Sequence, residues 1–278
     1  MAEAIAPADR PAGGGNEFYG ARYDVVSAPP VGSRYIFFSS QRTGSNYLCR
    51  RLCNVSGRFG LPSEYLNPQA VKTVLSRLGP VAGGGARAVT LDDYLRRVEG
   101  VRTTSDGTFG IKVQPNHLLP RLPNAEGSVV RFLQGFERII VLTRRDKLAQ
   151  AVSGSIAEAT GKWFADGERP ALQEADLKRL CPDVALKLNR YIQEELMMKR
   201  AAAATGRAIL QVSYEEILTV PDETFNRVLV FLGEPRGTTG VEEGKAVLVP
   251  KKPPGDTAQQ LTGLFLSFIR GTQRESQA

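Results

Sequence analysis

The chain has 278 residues, 42% of them hydrophobic and 23% charged, the balance of a soluble globular protein with room for one large α/β domain or two small ones. A net charge of +7 and a pI near 9.4 suit an anionic ligand, nucleic acid or an acidic surface, or simply a basic enzyme. No apolar run approaches a membrane span, and the basic residues are spread out without the aromatic interleaving of a nucleic-acid binder, so neither membrane insertion nor nucleic acid is expected.

The first residues, "MAEAIAPADRPAGGG", lack the apolar stretch of a secretory signal. Residues 1–30, rich in Ala, Pro and Gly, read as a mobile arm, and 31–278 as the folded domain. The three cysteines, Cys49, Cys53 and Cys181, fit reduced thiols in the cytoplasm. Cys49 and Cys53 share a helical face with Leu48 and Leu52, which suits burial better than metal binding, and no metal site is expected.

Strands are predicted at 34–39, 108–113, 137–143 and 207–213, each apolar on both faces as in a buried parallel sheet. Helical patterns fall at 44–56, 68–78, 91–99, 146–160, 184–204, 221–232 and 257–270. This alternation implies one α/β domain with a central, mostly parallel sheet flanked by helices. The stretches 79–88 and 164–171 read as flexible surface connections.

The first strand runs into "FFSSQRTGSNYL", residues 37–48. A tight turn from strand to helix offers backbone N–H groups and the positive end of the helix dipole to an anion. Gly44 permits close approach, Ser40, Thr43, Ser45 and Asn46 add small donors, and Arg42 adds a fixed charge. The element is P-loop-like in form but lacks the Gly-Lys-Ser/Thr of a Mg-ATP site. The alternative is an ordinary helix start capped by Thr43 or Ser45 with Arg42 in solvent.

A second anion-friendly element follows the third strand, where Arg144 and Arg145 precede a helix that Asp146 can cap. Ser153 lies eight residues after Arg145, so the two can converge on one anion at the sheet edge where ligands of open α/β folds bind.

Together these segments resemble the sulfotransferases that use 3′-phosphoadenosine 5′-phosphosulfate (PAPS), and most closely the bacterial trehalose sulfotransferase family. The loop "QRTGSN" resembles that family's "PRSGS" element, with Gln41 in place of the usual proline and Thr43 and Asn46 as conservative variants. "GLPSEYLNP" (60–68), "FGIKV", "LTRRDKLAQAVSGSIAEATGKW" (142–163) and "VSYEEI" match in character and order, so the resemblance covers about residues 22–235. It implies that Gln41, Arg42, Thr43, Gly44, Ser45 and Asn46 hold the phosphosulfate, with Arg42 near the sulfuryl group. It also implies that Arg145 and Ser153 hold the 3′-phosphate and that Tyr214 sits near the adenosine. Glu64 is then the general base on an acceptor hydroxyl, from a carbohydrate or glycolipid, and the protein a homodimer.

His117, the only histidine, is the rival base. Lys112 is either a second cation at the reaction centre or a strand-end lysine reaching solvent. Trp163 suits core packing more than stacking on a ligand. Lys251 and Lys252 either close over the donor phosphates or lie on the surface, in a C-terminal stretch that departs from the family. Two other functions fit the loops: a P-loop kinase-like phosphotransferase, and a nucleotide- or anion-binding protein without activity.

Overall fold

The strands form where β-branched and aromatic residues cluster: β1 (Ser33–Ser39), β2 (Thr108–Val113), β3 (Arg138–Thr143) and β4 (Ala208–Ser213). They make one sheet in the order β2-β1-β3-β4, with every pair parallel. The structure is a computed structural model and describes residues 18–55, 57–79, 89–125, 127–163, 171–234 and 255–275. The expected connections at 80–88 and 164–170, residues 1–17, and Lys251 and Lys252 lie outside the described residues.

Parallel neighbours need crossovers, and these put helices on both faces of the sheet. Successive residues of β1 point to opposite sides, so each face receives its own aromatics. Ile36 and Phe38 join Phe109, Ile111, Ile139 and Val141 on one face. That face is covered by α2 (Pro68–Leu78), α3 (Leu91–Arg102), α5 (Ser128–Gln134) and the end of α7 (Glu174–Ala203). Tyr35 and Phe37 join Ile140, Leu142 and Val212 on the other. There α1 (Ser45–Cys53), α8 (Tyr214–Thr219) and α9 (Pro221–Leu232) pack, with Leu48, Cys49 and Leu52 buried as the shared helical face implies. A third cluster joins α6 (Lys147–Thr160), α7 and α10 (Asp256–Glu275) through Val152, Ile156, Leu177, Val184, Leu261 and Phe265.

Gly110 has a packing reason. It pairs with Tyr35 across the β1–β2 ladder, and a Cβ there would lie 2.2–2.5 Å from the Tyr35 ring. The ring crosses over the glycine, is 1% exposed, and donates its hydroxyl to the Phe59 carbonyl at 2.6 Å.

Three features depart from the sequence reading. Helix α7 begins at Glu174, ten residues before the predicted start, and runs through Pro182. The proline removes one backbone donor, but a capping box of Gln173 and Asp176 and the burial of Leu177 and Cys181 hold the first turns. The helices α4 (Pro115–Leu118), α5 and α8 are too short for periodicity to reveal. Residues 18–30 are not a free arm. Arg102, 3% exposed, bonds Asp24 at 3.0 Å and the Gly20 carbonyl at 3.0 Å, and Tyr19 is buried against Tyr65.

Candidate active site

All four strand C-termini bring candidate residues to one edge of the sheet, as the fold rule requires. The loop 40–44 follows β1, Gln114 and His117 follow β2, Arg144 and Arg145 follow β3, and Tyr214 follows β4.

The loop turns on two left-handed residues, Arg42 (φ 63°) and Gly44 (φ 81°). Gly44 is required: a Cβ would meet Ile217 at 3.0 Å and the Tyr214 ring at 3.2 Å in addition to the unfavourable φ. Gly44 is also the N-cap of α1, which has no side-chain cap. The capped-start alternative is therefore corrected: the Thr43 hydroxyl, fully buried, donates instead to the Ser40 carbonyl at 3.0 Å. A nine-residue helix starting without a cap leaves its first N–H groups to whatever occupies the loop.

The loop is held from behind by residues the sequence reading missed. Gln150, fully buried in α6, donates its amide to the Ser40 hydroxyl at 2.9 Å and the Gln41 carbonyl at 2.6 Å. Gln41 accepts from Arg190 at 3.0 Å and Tyr191 at 3.2 Å through its side chain. The loop is thus tied to α6 and α7 by hydrogen bonds where a proline would fix φ instead. A glutamine amid the apolar run "LAQAV" was the one available signal for Gln150.

Arg42 is not in solvent. Its Nε donates to the Ser153 hydroxyl at 3.0 Å and its Nη1 to the Trp163 carbonyl at 2.6 Å. Trp163 is half-buried and lines the cavity, so the core-packing expectation is corrected. Arg145 is exposed, with its backbone N–H donating to Glu215 at 3.0 Å. Its neighbour Arg144 is the buried one, 8% exposed, with its guanidinium 4.3 Å from the Tyr214 ring centre. Burial works against the Arg144 charge and lowers its proton affinity, with Tyr214, Asp146 and Glu215 opposing. Tyr214 therefore sits between Gly44 and Arg144, joining the two anion-friendly elements.

Glu64 reaches the edge by an extension of the sheet. Ser63 forms an isolated parallel bridge with Ile111, and its carbonyl accepts from the Lys112 N–H at 3.0 Å. The next residue, Glu64, then lies beside the Lys112 side chain, with Nζ 2.6 Å from Oε1. Gln114 adds an amide donor at 2.7 Å. Lys112 is 3% exposed, which excludes the solvent-reaching alternative, and it also donates to Asn46 Oδ1 in the anion loop.

Burial pushes the Glu64 carboxyl up, but the Lys112 charge and hydrogen bond, with His117 and Asn67, outweigh it and hold the carboxyl below its ordinary range. Burial lowers the His117 pKa, only partly opposed by Glu64, while Arg121, Lys112 and Arg190 push the same way. At neutral pH Glu64 is ionised and His117 neutral, so each can accept a proton.

These groups face a cavity of about 700 Å³ lined by Arg42, Asn46, Glu64, Lys112, His117 and Trp163, with Phe18 and Tyr19 contributed by the N-terminal segment. Cys49 and Cys53 also reach its wall. Burial raises the Cys49 pKa, so it stays a thiol. Among the described residues no three metal-ligating side chains cluster. No described helix is long and apolar enough to cross a membrane.

The family described as Stf0 sulphotransferase matches residues 34–246. A solved sulfotransferase from Alicyclobacillus acidocaldarius aligns with 15% identity and a TM-score of 0.43, over 86% of this chain and 92% of that one. No curated protein matches the chain.

Proposed function

The chain belongs to the Stf0 sulphotransferase family, and from that premise we propose that it moves a sulfuryl group from PAPS to a hydroxyl of a carbohydrate or glycolipid acceptor. The observation that carries the reading is the Lys112 ammonium, which joins the anion loop to a carboxylate within one cavity.

The residues present fit an anionic donor. An uncapped helix start, a turn with Arg42 and Gly44 left-handed, and two cations, Arg42 and Lys112, converge there. When bound, PAPS supplies an activated sulfuryl group on a phosphate leaving group. Arg42, Lys112 and the first N–H groups of α1 stabilise the negative charge that develops as the leaving group departs. Arg145 and Ser153 are assigned to the 3′-phosphate, and Tyr214 to the adenosine side. Glu64 takes the proton of the acceptor hydroxyl, with His117 as the second basic group in the cavity. Phe18, Tyr19 and Trp163 suit the apolar faces of a sugar, and Asn67 and Gln114 suit its hydroxyls. The remaining catalysis is positioning. A cytoplasmic homodimer belongs to the same reading.

The test is incubation with sulfur-labelled PAPS and a panel of sugars and glycolipids, with and without EDTA. Label moving to an acceptor hydroxyl in both conditions supports the reading. Tight binding of 3′-phosphoadenosine 5′-phosphate with no transfer to any acceptor favours a binding protein. Transfer from ATP that EDTA abolishes favours a phosphotransferase.

A further inference from the structure

Lys112 has two partners, from two different segments of the cavity wall. Asn46 belongs to the first turn of α1, where an anion in the loop would lie. Glu64 belongs to the segment beside the outer edge of β2. One ammonium, 3% exposed, serves both, and its backbone N–H is fixed by Ser63, so the side chain pivots on a rigid strand. We propose that Lys112, besides stabilising the leaving group, couples the anion loop to the base: an anion bound in the loop competes with Glu64 for the ammonium and so strengthens Glu64 as a proton acceptor. The inference rests on the sulfotransferase reading of the same site.

The coupling follows from charge. Lys112 is the leading attraction that holds the Glu64 carboxyl low against its burial. A phosphate or sulfate oxygen beside Asn46 carries more charge than the Asn46 amide oxygen and draws the ammonium towards the loop. Each increment of ammonium lost to the anion returns to Glu64 as basicity, and linkage makes the relation reciprocal: protonating Glu64 strengthens anion binding. The functional result is that Glu64 is a weak base until the donor site is filled. The acceptor hydroxyl is then deprotonated only where a sulfuryl group can receive it.

The other groups facing Glu64 are His117 from α4, Tyr19 from the N-terminal segment and Cys49 from α1. Burial raises the Tyr19 and Cys49 pKa values, so both remain protonated in acid. His117 is the other group among these that can exchange a proton in weak acid, so the measurement is made with His117→Gln in place.

The experiment is calorimetric titration with 3′-phosphoadenosine 5′-phosphate near pH 5.5, in two buffers of different ionisation enthalpy, which counts protons exchanged on binding. With Glu64 present, binding should take up more protons than with Glu64→Gln, by on the order of half a proton per ligand. The Glu64-dependent uptake should fall by more than half when Lys112→Met is added. Because removing Lys112 also raises the Glu64 carboxyl in the free protein, the uptake is summed over a series from about pH 4.5 to 8: a purely structural lysine would move the pH at which uptake occurs and leave that sum unchanged. Equal uptake with and without Glu64 overturns the coupling, as does a Glu64-dependent uptake undiminished by Lys112→Met. If Lys112→Met does not fold or bind, Lys112→Gln, which keeps a polar side chain without the charge, takes its place in the comparison. Failure of the folded parent to bind the nucleotide at all sinks the donor reading itself, a separate outcome.

Discussion

Arg42 Nε lies 3.0 Å from Ser153 Oγ, so the loop after β1 and the helix after β3 are in direct contact through the two side chains assigned to opposite ends of one bisphosphate. The contact spans 111 residues of sequence. It gives the two anion-friendly elements a fixed separation, held further by the Tyr214 ring between Gly44 and Arg144.

The exposed Arg145 and the half-buried Ser153 can be tested as donor ligands. Arg145→Ala should weaken binding of 3′-phosphoadenosine 5′-phosphate by about 10- to 100-fold, the worth of a charged hydrogen bond. Adenosine 5′-phosphate, which lacks the 3′-phosphate, should bind both proteins alike. Calorimetry with the two nucleotides makes the comparison, and equal loss for both would assign Arg145 elsewhere.

Glu64 and His117 compete for the role of base. Glu64→Gln should lower turnover ~10²–10⁴-fold while donor binding persists, and His117→Ala should cost less. Steady-state rates with labelled PAPS decide it. Near-normal turnover of Glu64→Gln combined with loss in His117→Ala would transfer the role to the imidazole.

The pH dependence of stability has a second carboxyl behind it. Burial pushes Glu194, in α7, up to about 7, and Arg190 at 3.6 Å offsets only part of this. A carboxyl raised on folding keeps its proton in the folded chain after the unfolded chain has released it. Stability contributed by the neutral group is complete below about pH 4.5 and is lost as pH rises through about 7. Glu194→Gln should therefore gain on the order of 2 kcal/mol at pH 8 and nothing near pH 4.5. Urea midpoints at the two pH values check the sign.

Gly110 tests the packing of β1 on β2. Gly110→Ala places a methyl into the Tyr35 ring and should cost about 1–3 kcal/mol or more, read as a lower thermal midpoint. Adding Tyr35→Ala, which vacates the space, should make the alanine nearly neutral in that background. Additive losses would show that the ring is not the obstacle.

The order of strands and long helices was legible because local pattern carries it. "YIFF", "GIKV", "IIVL" and "ILQV" read as buried strands between helices, and the observed strand ends differ from the predicted ones by at most one residue. The loop after β1 and the Arg-Arg-Asp helix start were legible for the same reason, since a turn's chemistry sits within a few adjacent residues. The start of α7 was not, because Pro182 argues against a helix locally and only packing on α6 and α10 outweighs it.

By itself, then, the sequence determined which residues carry charge, which segments are strands and helices, and that a small-residue strand-to-helix loop with an arginine begins one of them. Tertiary structure alone decided the pairings. It set Lys112 against Glu64 rather than in solvent, Arg42 on Ser153 and Trp163, Gln150 behind the loop, and Phe18 and Tyr19 in the cavity wall. The reason is range. Dihedral preference and hydrophobic period act over a few residues. A contact between positions 48 or 111 apart is fixed only when the sheet closes and the strand ends meet at one edge.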